Sequence, residues 1–152
     1  MAFEEEIKSI TANVFQTMLS WDVLPLEQNL SNLDHSTELS LCGNVSITGD
    51  WQGSFFIKAP LSLSNKIAET MFAMDPGAPS ESEVFDAFGE MTNMIGGNFK
   101  SILEGSCQLS IPSIIKGMQF SINTPGTEVL CKLGFEAQGQ KFEIELLQGG
   151  RH

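Results

Sequence analysis

Near the start of the chain, Ile7, Ile10, Val14, Phe15, Met18 and Leu19 recur at helical spacing and predict a helix from Phe3 to about Ser20. The acids that open it suit a helix N-terminus. From Thr37 to Thr48 the pattern changes to alternation, with Leu39, Leu41, Val45 and Ile47 apolar. Trp51 to Ala59 continues it with Phe55 and Ile57, and Gly49-Asp50 makes the pair a hairpin. Leu61 to Met74 reads as a second helix, closed by Asp75-Pro-Gly-Ala-Pro, because two prolines cannot continue a helical ladder. A third helix begins at Ser80 or Ser82, each a good N-cap, and runs toward Glu104 and Gly105. Strand-like runs follow at Gln108 to Ile111, Met118 to Ile122, Glu128 to Glu136 and Lys141 to Leu147, the last two joined at Gln138-Gly139.

This order predicts an α+β domain in which an antiparallel sheet packs against long helices. The two halves also resemble each other. Phe3 to Leu19 followed by strands parallels Glu81 to Leu103 followed by strands, and Gly49-Asp-Trp-Gln-Gly-Ser-Phe-Phe-Ile is loosely echoed by Glu136-Ala-Gln-Gly-Gln-Lys-Phe-Glu-Ile. An internal duplication of helix-plus-strands halves is therefore expected. With 152 residues, 41% of them hydrophobic, the chain suits one domain spanning residues 1–150.

Charge narrows the choice of partners. A formal net charge of -11 disfavours nucleic acid and anionic membranes, which bind through clustered Lys and Arg. No apolar run approaches the roughly 20 residues of a membrane span. The first residues carry acids where a signal peptide carries bases, so a cytoplasmic protein is expected. Cys42, Cys107 and Cys131 are odd in number and far apart, as reduced thiols are, and no metal site is expected. His35 lies in a polar loop, His152 is terminal, and no Ser or Cys has a motif-linked base. The glycines form no nucleotide-binding motif.

The third helix carries more information. Val84, Phe88, Met91, Ile95, Phe99 and Ile102 form an apolar stripe for the sheet. Opposite it, Asp86, Glu90, Asn93, Gly97 and Lys100 are spaced by four, three, four and three, and so share the outward face. Asn93 is a weak helix former, and each mid-helix glycine of Gly96-Gly97 costs about 1 kcal/mol relative to alanine. Gly97 leaves bare backbone on that face, where another protein can approach. Gly96 lies to the side, a place for packing.

The run Asp86-Ala-Phe-Gly-Glu90-Met-Thr-Asn93-Met-Ile-Gly-Gly97-Asn-Phe-Lys100, followed by Leu109-Ser-Ile-Pro112, resembles the CheX-like members of the CheC/CheX/FliY chemotaxis phosphatase family. The family's mark is a helical Glu-x-x-Asn. The resemblance implies hydrolysis of the aspartyl phosphate of a phosphorylated CheY-like response regulator in chemotaxis or two-component signalling. By position, Asn93 would orient the attacking water and Glu90 would pair with a lysine of the partner. Asp86, Gly97 and Lys100 would contribute to partner binding. The protein would need no cofactor of its own, since the Mg²⁺ would belong to the partner's receiver domain. CheX-like proteins commonly pair, so a homodimer is a further implication.

Members with two active helices repeat Glu-x-x-Asn near the start of the chain, where this sequence reads Glu6-Ile-Lys-Ser9. One site per chain is therefore expected. Two other readings stand beside the enzyme: a module of the same fold that binds a response regulator without hydrolysis, and a dimerisation domain.

Overall fold

The structure, a computed structural model, describes residues 3–27, 38–118 and 125–149. His35, His152 and all but the first residue of the strand expected at Met118 to Ile122 lie outside the described residues. In chain order the elements are α1 (Glu4–Leu19), β1 (Leu24–Pro25), β2 (Ser40–Gly49), β3 (Gly53–Pro60), α2 (Leu61–Met71), α3 (Glu81–Ser101), β4 (Cys107–Leu109), β5 (Ser113–Gly117), β6 (Thr127–Ala137) and β7 (Gln140–Gly149). The strands form one seven-stranded antiparallel sheet in the order β1-β6-β7-β3-β2-β4, with β5 also on β2. Among the described residues, no helix is long and apolar enough to cross a membrane.

The helices bury one face of the sheet. Leu41, Val45 and Ile47 of β2, Phe55 and Ile57 of β3, and Phe142, Ile144 and Leu146 of β7 alternate inward. They meet Ile7, Val14 and Phe15 of α1, Leu63 and Ile67 of α2, and the α3 stripe in one apolar cluster. All of the predicted α3 stripe is buried except Ile102, which caps the helix and is exposed. Phe15 stacks on Phe142 and Phe142 on Phe135, while Phe99 meets Phe3, Trp51 and Phe55.

The strand order explains the likeness of the two halves. Exchanging β1 with β4/β5, β2 with β6, and β3 with β7 reverses the order of the sheet and leaves every neighbour in place. The centre of this exchange lies between β3 and β7, with α1 and α3 as counterparts and α2 outside the repeat. The Gln138-Gly139 turn has positive φ at both residues, as a tight hairpin with right-handed strand twist requires. Its counterpart is the wider β2–β3 turn at Gly49-Asp50. There Asp50 accepts from the Ser106 amide at 2.8 Å and donates its own amide to the Ser106 carbonyl at 3.0 Å, fastening the end of α3 to the hairpin.

Several elements differ from expectation: α3 ends at Ser101 and β4 at Leu109, each earlier than expected. α2 stops before Asp75-Pro76, because Ala73 turns left-handed and the Met74 amide reaches back to the Glu69 carbonyl. β5 was not expected, since Pro112 and Lys116 obscure its short alternation. β1 is only two residues long and lies on the edge of β6.

Candidate functional site

Helix α3 starts with a reciprocal cap. Ser80 Oγ accepts from the Glu83 amide at 3.2 Å and the Ser80 amide donates to Glu83 Oε1 at 2.8 Å, so Ser80 rather than Ser82 is the N-cap. The helix then lies low over β2. Gly43 of β2 leaves room for the buried Thr92, whose hydroxyl donates back to the Phe88 carbonyl at 2.9 Å. Gly96 faces Val45 so closely that an added Cβ would stand 2.6 Å from Val45 Cγ2. The cost of Gly96 in helix stability therefore has a structural return, a close seat on the sheet.

Asp86 and Glu90 are exposed on the outer face, and Asn93 is half-buried. All three line a groove whose other wall is the segment Leu109 to Pro112 with Ile114. The helical motif and the later Leu-Ser-x-Pro, separated in sequence, thus form two sides of one feature. Gly89 forms its floor: a Cβ there would only touch Pro112 and Ile114 at 3.8 Å. Sequence reasoning missed Gly89 and Phe85, and the signal available for the first was a third glycine adjoining the motif acid. Among the described residues, none hydrogen-bonds or forms an ion pair with the side chains of Asp86, Glu90 or Asn93. An acid and a carboxamide one turn apart are thus held at a groove with their hydrogen-bonding capacity unused.

Gly97 and Lys100 follow on the same face, beyond the groove. Gly97 has open space around it, with Leu109 Cδ2 3.9 Å from an added Cβ. Lys100 Nζ donates to the Cys107 carbonyl at 3.5 Å, so its ammonium leans on β4. At the opposite end of α3, Lys116 of β5 pairs with Glu81.

A second groove lies at the pseudo-symmetric place. Ser9, Ala12, Asn13 and Gln16 of α1 face Trp21 to Leu24, at the spacing with which Asp86, Gly89, Glu90 and Asn93 face Leu109 to Pro112. The counterpart of Glu90-x-x-Asn93 is accordingly Asn13-x-x-Gln16, not the Glu6-x-x-Ser9 expected from sequence. The expectation of Glu6 and Ser9 at these places is corrected: the helix wall carries two carboxamides, Asn13 and Gln16, and lacks an acid, while Asp22 lies on the facing segment.

An antiparallel sheet under three helices is a fold that solved structures share. A chemotaxis protein CheX from Vibrio vulnificus matches with a TM-score of 0.77 and 24% identity over 96% of this chain and 95% of that one. A chemotaxis protein CheX from Desulfovibrio desulfuricans matches with a TM-score of 0.76 and 22% identity over 97% and 99%. The CheX–CheY–BeF3–Mg²⁺ complex from Borrelia burgdorferi matches with a TM-score of 0.67 and 18% identity over 98% of both chains. No curated protein sequence matches. Residues 41–136, more than half of the chain, match the model of the family described as chemotaxis phosphatase CheX. The chain belongs to that CheX family.

Proposed function

We propose that this protein removes the phosphoryl group from the aspartyl phosphate of a CheY-like response regulator. The observation that carries the reading is the pairing of Glu90 and Asn93, both unengaged, on one wall of the groove. The Borrelia burgdorferi relative, solved with CheY, BeF3 and Mg²⁺, supports the choice of partner class.

An aspartyl phosphate is an activated acyl phosphate, so the enzyme need supply no nucleophile of its own. Water attacks phosphorus in line, the bond between phosphorus and the aspartyl oxygen breaks, and aspartate and inorganic phosphate leave. Asn93 accepts a hydrogen bond from the water and donates one to hold it in place, which fixes the line of attack. A carboxylate there would repel the phosphoryl oxygens. Glu90 pairs with a lysine of the receiver and sets the depth at which Asn93 enters. A hundredfold acceleration needs only about 2.7 kcal/mol off the barrier, within the range of one well-placed hydrogen bond plus docking. The receiver brings the Mg²⁺ that neutralises phosphoryl charge. Asp86, Gly97 and Lys100 extend the contact along the helix, and the reaction places the protein in the cytoplasm with its partner.

The test is the decay of a phosphorylated, Mg²⁺-loaded receiver domain from the same cell, with wild type, Asn93→Ala and Glu90→Ala. Acceleration by the wild type that Asn93→Ala loses without losing binding is expected. Equal decay with and without protein, across all receivers of that cell, would refute the reading.

A further inference from the structure

The edge of the sheet opposite Glu90 and Asn93 is not a regular strand. β4 pairs Leu109 with Ile47, and β5 pairs Ser113 with Asn44, so Ser110, Ile111 and Pro112 stand against only Val45 and Ser46. This is a β-bulge, a device that bends an edge and re-aims its side chains. A side chain holds it in shape. The Ser110 amide donates to the Ser46 carbonyl at 2.9 Å, and Ser110 Oγ accepts from the Ser46 amide at 2.9 Å, taking the place of the backbone carbonyl that a regular ladder would supply. The same hydroxyl donates to the Ile111 carbonyl at 3.0 Å. Pro112 brings no amide to the edge and lies against Gly89.

The consequence falls on Ile111. It lines the groove, yet is 85% exposed, more than any other large hydrophobic side chain among the described residues. An isolated exposed isoleucine is ordinary. One held out by a side-chain-locked bulge, on the wall facing an acid and a carboxamide that have no partner, is placed for a contact made outside the chain. Large side chains in such positions anchor interfaces when they are desolvated on docking.

We infer that Ile111 is the apolar anchor on which the receiver domain docks, with Ser110 the positioning residue that holds it there; this rests on the phosphatase reading for the identity of the partner. Glu90 and Asn93 then provide the polar half of the contact and Ile111 the apolar half. The receiver that fits must carry an apolar patch beside its phosphorylation site, at the distance set by the width of the groove. Against a receiver that is itself acidic such a patch is more valuable, because long-range attraction then contributes little to a chain of net charge -11.

The experiment measures affinity for a beryllofluoride-activated CheY-like receiver, and KM and kcat for its phosphorylated form, with Ile111→Ala, Ile111→Asp, Ser110→Ala, Ser110→Thr and Ile115→Asp. Ile115 is the control: it is 58% exposed on β5, but it pairs with Cys42 and so faces away from α3. Ile111→Ala is expected to raise Kd and KM about tenfold with kcat unchanged, and Ile111→Asp more than that. Ser110→Ala follows in the same direction, Ser110→Thr restores the wild-type values, and Ile115→Asp matches wild type. Wild-type Kd and KM in Ile111→Asp, or equal losses in Ile115→Asp, overturn the inference. If wild type binds the activated receiver without speeding hydrolysis, and Ile111→Asp weakens that binding, the docking inference stands while the catalytic reading fails. A wild type that binds no activated receiver overturns both.

Discussion

Gly96 and Val45 are in contact across the interface of α3 and β2, with no room between them for one added methyl group: its carbon would lie 2.6 Å from Val45 Cγ2. Gly96→Ala gains about 1 kcal/mol in helix propensity but forces the helix off its seat, and overpacking of this kind costs about 1–3 kcal/mol. A net loss of about 1 kcal/mol is expected, read from the urea midpoint. Because the seat sets the height of Asn93 above the groove, kcat should fall as well.

The adjacent glycine should behave in the opposite way. A Cβ at Gly97 meets only Leu109 Cδ2, at an ordinary 3.9 Å. Gly97→Ala should therefore stabilise the protein by about 0.5–1 kcal/mol. If a partner approaches the bare backbone there, the same substitution raises KM. A more stable variant with weaker docking is the expected result, and unchanged KM would remove Gly97 from the interface.

This pair shows where sequence could inform and where it could not. The 3.6-residue period of α3 assigned Val84, Phe88, Met91, Ile95 and Phe99 to the core, because burial of that stripe is what stabilises the helix. It also grouped Asp86, Glu90 and Asn93 on one face. The opposite wall was legible only as a motif. Ser110 to Pro112 meets α3 through the pairing of β4 and β5 with β2, a contact between segments more than sixty residues apart that no local period encodes. The counterpart site on α1 was misplaced for a related reason. Matching by residue type found Glu6 and Ser9, whereas the true correspondence depends on which residues face Trp21 to Leu24.

On the other face of the sheet, Lys58 and Glu143 form a buried ion pair at 3.1 Å, with Lys132 at 3.7 Å from the second carboxylate oxygen. Lys58→Met removes the closer cation while the carboxylate stays buried. Leaving a buried charge with no cation costs about 3–5 kcal/mol, and the loss here is expected to be smaller because Lys132 still faces the carboxylate. Replacing Lys58 and Glu143 together by apolar residues of similar volume should recover most of that loss, as thermal or urea unfolding of the single and double variants would show.

Burial pushes the thiols of Cys42 and Cys131 up to about 11 from 9.0. Two pH units correspond to about 100-fold less thiolate, so at pH 8 both should alkylate about 100-fold more slowly than a free thiol, while half-buried Cys107 reacts first. The folded values are raised, so the stability these thiols contribute is fully present below pH 9 and is lost as pH rises toward 11. Mass spectrometry after brief iodoacetamide treatment, with and without denaturant, gives the order of labelling. Early modification of Cys42 would contradict it.

The pseudo-symmetric groove on α1 allows a test by gain rather than loss. Asn13 occupies the place of Glu90 and Gln16 that of Asn93, with Ala12 on the floor where Gly89 lies in the other groove. Gln16 already offers a carboxamide, but one methylene farther from the backbone, and Asn13 cannot form the ion pair that would set its depth. Asn13→Glu with Gln16→Asn would recreate Glu-x-x-Asn on α1. Introduced into Asn93→Ala, the double change is expected to raise turnover of a phosphorylated receiver at least about tenfold above that background, equivalent to about 1.4 kcal/mol of barrier. Both positions are exposed, so folding should be unaffected. A folded variant with no recovered turnover would show that the exchange of halves relates the backbones but not the docking surfaces, and that the wall supplied by Ser110 to Pro112 has no working equivalent at Asp22 to Leu24.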